Sequence, residues 1–172
     1  MAPPLRKRED VEALWKAVEE GLVDVVSSDA AGHLIQDKNP IGKNIFKSPY
    51  GIPGMETMFT VAYDEGINGE RISLPRLVEL TSENPAKIFK IYPKKGVLQA
   101  GSDADVLIFD PNVTHAVKAK NYPLKVGYSL FEGRECVGAP WLVMLNSRAD
   151  REKGELKAEP GQGTYIPAIP SV

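Results

Sequence analysis

A single cysteine, Cys136, and two histidines, His33 and His115, are all the soft metal donors in this 172-residue chain. One cysteine excludes an internal disulfide and fits a reducing, cytoplasmic setting. Three such donors are too few for a structural zinc site of the Cys/His kind. Charge of one sign is also missing. Lys and Arg total 21 against 23 Asp and Glu, a net charge of −2, which gives no basis for a nucleic-acid or anionic-membrane partner. No apolar run reaches the length of a membrane span, and no signal-peptide pattern opens the chain. What is abundant is turn chemistry: 15 glycines and 14 prolines imply many turns and few long helices. A composition of 42% hydrophobic and 26% charged residues is that of an ordinary globular chain.

Helical spacing comes first. Val11, Leu14, Trp15 and Val18 form an apolar stripe that predicts a helix over 9–20, ended by Gly21 in a left-handed conformation. Residues 22–27 read as a short buried strand, with Ser28-Asp29-Ala30 at its C-terminal end. A carboxylate in that position is where α/β barrels keep metal ligands and proton carriers. Residues 30–54 form a long irregular stretch, of the kind that serves as a lid or binding loop. Met55 starts a second helix, closed by Gly66. Ser73 caps a third, reaching about Thr81, and Asn84-Pro85 opens a fourth, with Ala86, Ile88 and Phe89 turned inward. From residue 97 the period changes to short strands at 97–101, 105–110, 113–119, 134–138 and 141–145, separated by turn signals such as Asp110-Pro111-Asn112. The tail from Arg148 reads as extended, poorly ordered or wrapped over a partner.

The order of motifs is more specific. Pro3-Pro4-Leu5-Arg6, Ser28-Asp29, Pro53-Gly54-Met55-Glu56, Gly69-Glu70-Arg71-Ile72, Asn84-Pro85-Ala86-Lys87-Ile88-Phe89, Gly101-Ser102-Asp103-Ala104-Asp105 and Gly161-Gln162-Gly163-Thr164-Tyr165-Ile166-Pro167 occur in sequence along the chain. Together they resemble the C-terminal portion of the cyclic amidohydrolases, the dihydropyrimidinase and D-hydantoinase group. The resemblance implies an α/β fold: the last strand–helix units of a TIM-type hydrolase barrel over 1–95, a composite β-sandwich region over 96–147, and an extended tail over 148–172. It implies hydrolysis of a cyclic amide or imide, opening a dihydropyrimidine or hydantoin ring to an N-carbamoyl amino acid. It also implies two divalent metals, usually zinc, held mostly by residues upstream of this chain, and a homotetramer.

By position Asp29 would be a metal ligand and the proton-transfer residue, with Ser28 and Tyr50 at the substrate. Three positions depart from the family pattern. Ala2 replaces a small polar residue, Tyr50 stands at the place of a substrate-loop asparagine, and Ala30 follows the aspartate where His, Asn or Gln is common. Tyr50 either contacts substrate or fills the pocket. The departures leave open a second reading, a non-catalytic dihydropyrimidinase-like scaffold, and a third, a truncated gene product. His33 reads as a solvated loop residue and His115 as a sandwich surface residue. Gly42-Lys43 lacks the glycine-rich loop a phosphate site needs. Without the upstream barrel the stripe around Trp15 is left uncovered, so the chain alone is expected to be inactive and prone to aggregate.

Overall fold

The computed structural model describes residues 4–38 and 44–168. Ala2 and Gly42-Lys43 fall outside them. Helix α1 covers Arg8–Glu19. Its first turn is closed by the Asp10 carboxylate, which accepts from the Lys7 N–H at 3.1 Å. It ends as expected at Gly21, with φ +78°. Two ties fix it to the rest of the chain. Arg71 donates to both Glu12 carboxylate oxygens at 2.6 and 3.1 Å, and Arg76 Nε donates to the Val18 carbonyl at 3.3 Å. Only Val18 of the apolar stripe is fully buried; Leu14 is 63% exposed. The stripe therefore faces an open cleft rather than a neighbouring element.

Helix α2, Met55–Tyr63, continues beyond the expected stop at Gly66 through a wider turn over Asp64–Asn68. The third and fourth helices expected from the sequence are one rod. Helix α3, Leu74–Val78, runs through a second wide turn at Glu79–Glu83 into α4, Asn84–Ile88. Ser73 caps it as expected, its hydroxyl accepting from Arg76 N–H. Asn84 is not a cap. Its backbone is helical, its N–H reaches back five residues to the Glu79 carbonyl, and its side chain donates to the Asp24 carbonyl at 3.0 Å. Pro85 has no N–H to place, so the rod passes through it without losing a bond it needs. Ala86 turns inward, but Ile88 and Phe89 are 57% and 69% exposed, contrary to the reading of all three as inward-facing.

The expected strand at 22–27 belongs to no ladder, because a strand exists only through a strand partner and no described strand pairs with it. Its polar backbone is satisfied by the rod instead. Val26 N–H donates to the Leu80 carbonyl at 3.2 Å, and the Val23 carbonyl accepts from Arg76 at 2.7 Å. Residues 97–101 form turns rather than a strand.

The sheet has four antiparallel strands among the described residues, in the order β1-β2-β3-β4. They are β1 Val106–Ala116, β2 Glu135–Leu145, β3 Arg148–Glu152 and β4 Glu155–Leu156. Two pairs of expected strands are thus single long ones. Pro111 lies inside an irregularity of β1 between Asp110 and Thr114, and Pro140 lies where β2 pairs only with β1. A proline costs no ladder bond in either setting. The stretch after Arg148, expected to be an unstructured tail, opens with two hairpins. Asn146-Ser147 and Lys153-Gly154 all have positive φ, the conformation a two-residue hairpin turn demands.

Sheet and helices meet around Phe109, whose ring packs 4.4 Å from Tyr63 and 5.5 Å from Phe59. Beside it Arg134 pairs with Asp64 at 3.0 Å and Glu65 at 2.6 Å. Burial pushes the Asp64 carboxyl up, but hydrogen bonds from Val137 N–H, Asn68 and Arg134 outweigh it and hold it below its ordinary 3.8. A depressed folded-state pKa stabilises above 3.8, and the contribution is lost as pH falls through the lower folded value. Asp64→Asn is therefore expected to cost about 1–3 kcal/mol at pH 7 and progressively less below pH 4 in urea unfolding. An equal cost at both pH values would rule this linkage out.

Candidate functional site

The site begins where the extended segment ends. Ser28 Oγ accepts from Ala30 N–H at 3.3 Å, turning the chain. Asp29 takes φ +43°, a left-handed conformation that aspartate tolerates better than most residues, and its side chain is exposed. The chain then meets the far end of the long loop. Ala30 bridges Ile52 in parallel, and Ala31 N–H donates to the Ile52 carbonyl at 2.9 Å. This contact joins the turn at Asp29 to the loop end that carries Tyr50 and Gly51, more than 20 residues away in sequence. Tyr50 is 54% exposed. Lys38 Nζ donates to the Pro49 carbonyl at 3.1 Å and Ser48 Oγ to the Lys38 carbonyl at 3.4 Å, so the loop is cross-tied at its neck.

Gly51 makes the approach possible. A Cβ at this residue would stand 2.2 Å from Ala31 Cβ, and its φ of +104° is one that side chains rarely adopt. Gly51→Ala is expected to break the Ala31–Ile52 bond and release the loop end that carries Tyr50 from the turn at Asp29. Amide exchange would show it as loss of protection at Ala31; retained protection would contradict this account.

His33 lies just beyond, its carbonyl accepting from the Tyr128 hydroxyl at 3.1 Å. Burial raises the Tyr128 hydroxyl above its ordinary value, so it stays a donor at neutral pH. Tyr128 is 95 residues from His33, and no local motif announces it. His115 sits on β1 opposite Cys136, in a different part of the fold. Cys136 is fully buried, and burial pushes its thiol up, away from reactivity. Among the described residues no three His, Cys, Asp or Glu side chains gather to hold a metal ion. Asp29 supplies one carboxylate, and the donor set of this chain alone does not fit a two-metal centre.

Under the site runs an apolar cleft of about 360 Å³, bordered by Ser28 and Ile52 at one end and walled by Leu14, Trp15, Val26 and Met58. An uncovered apolar hollow of this kind marks a surface built to be packed against.

Residues 2–149 match the sequence profile of the amidohydrolase family. The chain belongs to the amidohydrolase family. Within the family it is similar to hydantoinases. It is 43% identical to an L-hydantoinase of Paenarthrobacter aurescens over 166 residues, 96% of this chain and 36% of the relative. It is 34% identical to a D-hydantoinase of Ralstonia pickettii over 165 residues, 95% of this chain and 36% of the relative. Among solved structures, the D-hydantoinase (dihydropyrimidinase) of a Thermus species superposes with a TM-score of 0.92 at 30% identity, covering 95% of this chain and 36% of that one. The L-hydantoinase (dihydropyrimidinase) of Arthrobacter aurescens does so with a TM-score of 0.87 at 43% identity, covering 92% and 35%. This amidohydrolase chain thus spans little more than a third of the length of the relatives it matches. No helix among its described residues is long and apolar enough to cross a membrane.

Proposed function

We propose that this chain is the C-terminal portion of a cyclic-amide hydrolase that opens a hydantoin or dihydropyrimidine ring to an N-carbamoyl amino acid. In such a protein the parts divide as a barrel portion over 1–95, a sandwich region from 96 that takes in β3 and β4, and a tail beyond Leu156, in a cytoplasmic homotetramer. The observation that carries the reading is the placement of Asp29. An exposed carboxylate follows Ser28 in a left-handed conformation, and the Ala30–Ile52 bridge joins this turn to the loop end that carries Tyr50. The 43% identity to an L-hydantoinase over nearly the whole chain supports it.

The reaction adds water across a ring C–N bond. The hydroxyl goes to the carbonyl carbon and a proton goes to the ring nitrogen as that bond breaks. Asp29 is the proton carrier: its carboxylate takes a proton from the attacking water and returns it to the leaving nitrogen. Ser28 and Tyr50 line the substrate side, where Tyr50 offers a ring face and a hydroxyl in place of an amide. Two divalent ions, zinc by family habit, would activate the water and polarise the carbonyl. Asp29 would contribute one ligand, and the remaining ligands would come from sequence outside this chain.

The competing reading is a metal-free scaffold of the same family, favoured by Ala2, Ala30 and Tyr50 at positions where the family pattern differs and opposed by the retained Asp29. Intact mass of the native polypeptide, followed by hydantoin hydrolysis, separates the two. A mass well above 18.8 kDa with ring opening supports the enzyme. A larger protein without bound metal or ring opening supports the scaffold. A mass near 18.8 kDa with no second chain sets hydrolysis aside.

A further inference from the structure

The two loop ends that form the site, around Asp29 and around Tyr50, belong to no helix or extended ladder. Residues 23–26, just before them, are tied to the helical rod, and a second hold comes from a strap, residues 122–131, between β1 and β2. Its base is closed by two backbone bonds of 2.8 Å and by a third bond of 2.8 Å to the Glu132 carboxylate. Val117 N–H donates to Arg134, Gly133 N–H to Val117, and Ala119 N–H to Glu132 Oε2. Arg134 is in turn locked to Asp64 and Glu65. The strap therefore stands on a rigid foundation.

From there it reaches both sides of the site. Leu124 and Ser129 lie against Pro53 and Thr57 across a void of only about 10 Å³, room for little more than one water. On the other side Val126 Cγ1 would stand 3.1 Å from a Cβ at Gly32, so this face of the loop is in close contact with the strap. Between the two contacts the Tyr128 hydroxyl donates to the His33 carbonyl. It is the one side-chain hydrogen bond from strap to loop among the described residues. A hydrogen bond to a backbone carbonyl fixes the path of the chain, whatever side chain that residue carries.

We propose that Tyr128 is a positioning residue for the cyclic-amide reaction, its hydroxyl holding the 30–33 backbone so that Asp29 and Tyr50 face one substrate. The assignment rests on the hydrolase reading above. Tyr128 touches no reacting atom in this scheme; it acts through His33 and the loop.

The test is Tyr128→Phe in the complete protein, which removes one oxygen and keeps the ring. Amide exchange at Ala31 and His33 should speed up about three- to tenfold, the loss expected of one net hydrogen bond. The kcat/KM for hydantoin should fall by a similar factor or more, with metal content unchanged. Unchanged exchange at Ala31 and His33, or unchanged kcat/KM, overturns the proposal. So does a fall in thermal midpoint with exchange at Ala31 and His33 unchanged, which marks Tyr128 as packing alone. Absence of ring opening in the unsubstituted protein is a separate result that retires the hydrolase reading and this proposal with it.

Discussion

Replacing Asp29 by Asn in the complete protein is expected to lower the ring-opening rate by about 10²–10⁴-fold, the usual contribution of a positioned proton carrier. Asparagine keeps the size of the side chain and tolerates the left-handed conformation at φ +43°, so the fold should be indifferent to the change. It cannot accept a proton at neutral pH. The exposed side chain forms no hydrogen bond or ion pair with other described residues, which removes the usual structural reason for a large effect. Metal content measured on the same sample sharpens the result. A loss of bound metal along with rate would make Asp29 a ligand, whereas loss of rate alone would make it a proton carrier. Activity within tenfold of the parent would remove Asp29 from both roles and take the functional reading with it.

The second large effect is expected at Leu80, which has no exposed surface. It sits in the wide turn of the helical rod, against the apolar cleft, and its carbonyl accepts from Val26 N–H. Leu80→Ala is expected to cost about 2–5 kcal/mol of unfolding free energy, because the removed methyl groups leave a hole that the rod cannot close. The same change loosens the bed on which the segment before Asp29 lies, so activity at raised temperature should fall with stability. Urea unfolding of parent and variant measures the cost directly. A difference below about 1 kcal/mol would mean that this region collapses freely and is not a packed core.

Much of this was legible from residues in sequence. The stripe at Val11, Leu14, Trp15 and Val18 gave α1 its face, Gly21 its end, and Ser73 the cap of α3. Asp29, just past the expected strand at 22–27, stood out because α/β barrels keep metal ligands and proton carriers in that position. The failures share a cause: each local signal was right about chemistry and wrong about context. Asp110-Pro111-Asn112 read as a break between strands, yet Pro111 lies in an irregularity of β1, where a missing N–H costs nothing. Asn84-Pro85 read as a helix start, yet the wide turn before it relieves Pro85 of the bond it cannot make. Lys153-Gly154 was a hairpin turn hidden in a polar stretch that looked like a tail, and Asn146-Ser147, just before that stretch, was another. Residues 22–27 carried strand composition, but no described partner completes the ladder. Tyr128 carried no signal at all, since its meaning lies in a carbonyl 95 residues away.

Trp15 forms part of the wall of the open cleft, with the Arg71 guanidinium 5.4 Å from its ring. The only other tryptophan, Trp141, lies on β2 at the opposite side of the helix–sheet junction, 40% exposed beside Lys153. Indole emission moves to shorter wavelength when water leaves the ring, so the two residues report on different events. With Trp141 replaced by Phe, the remaining fluorescence becomes a colour gauge of whether the cleft is wet or filled. The molecule thus carries its own optical record of when its bare side finds a covering.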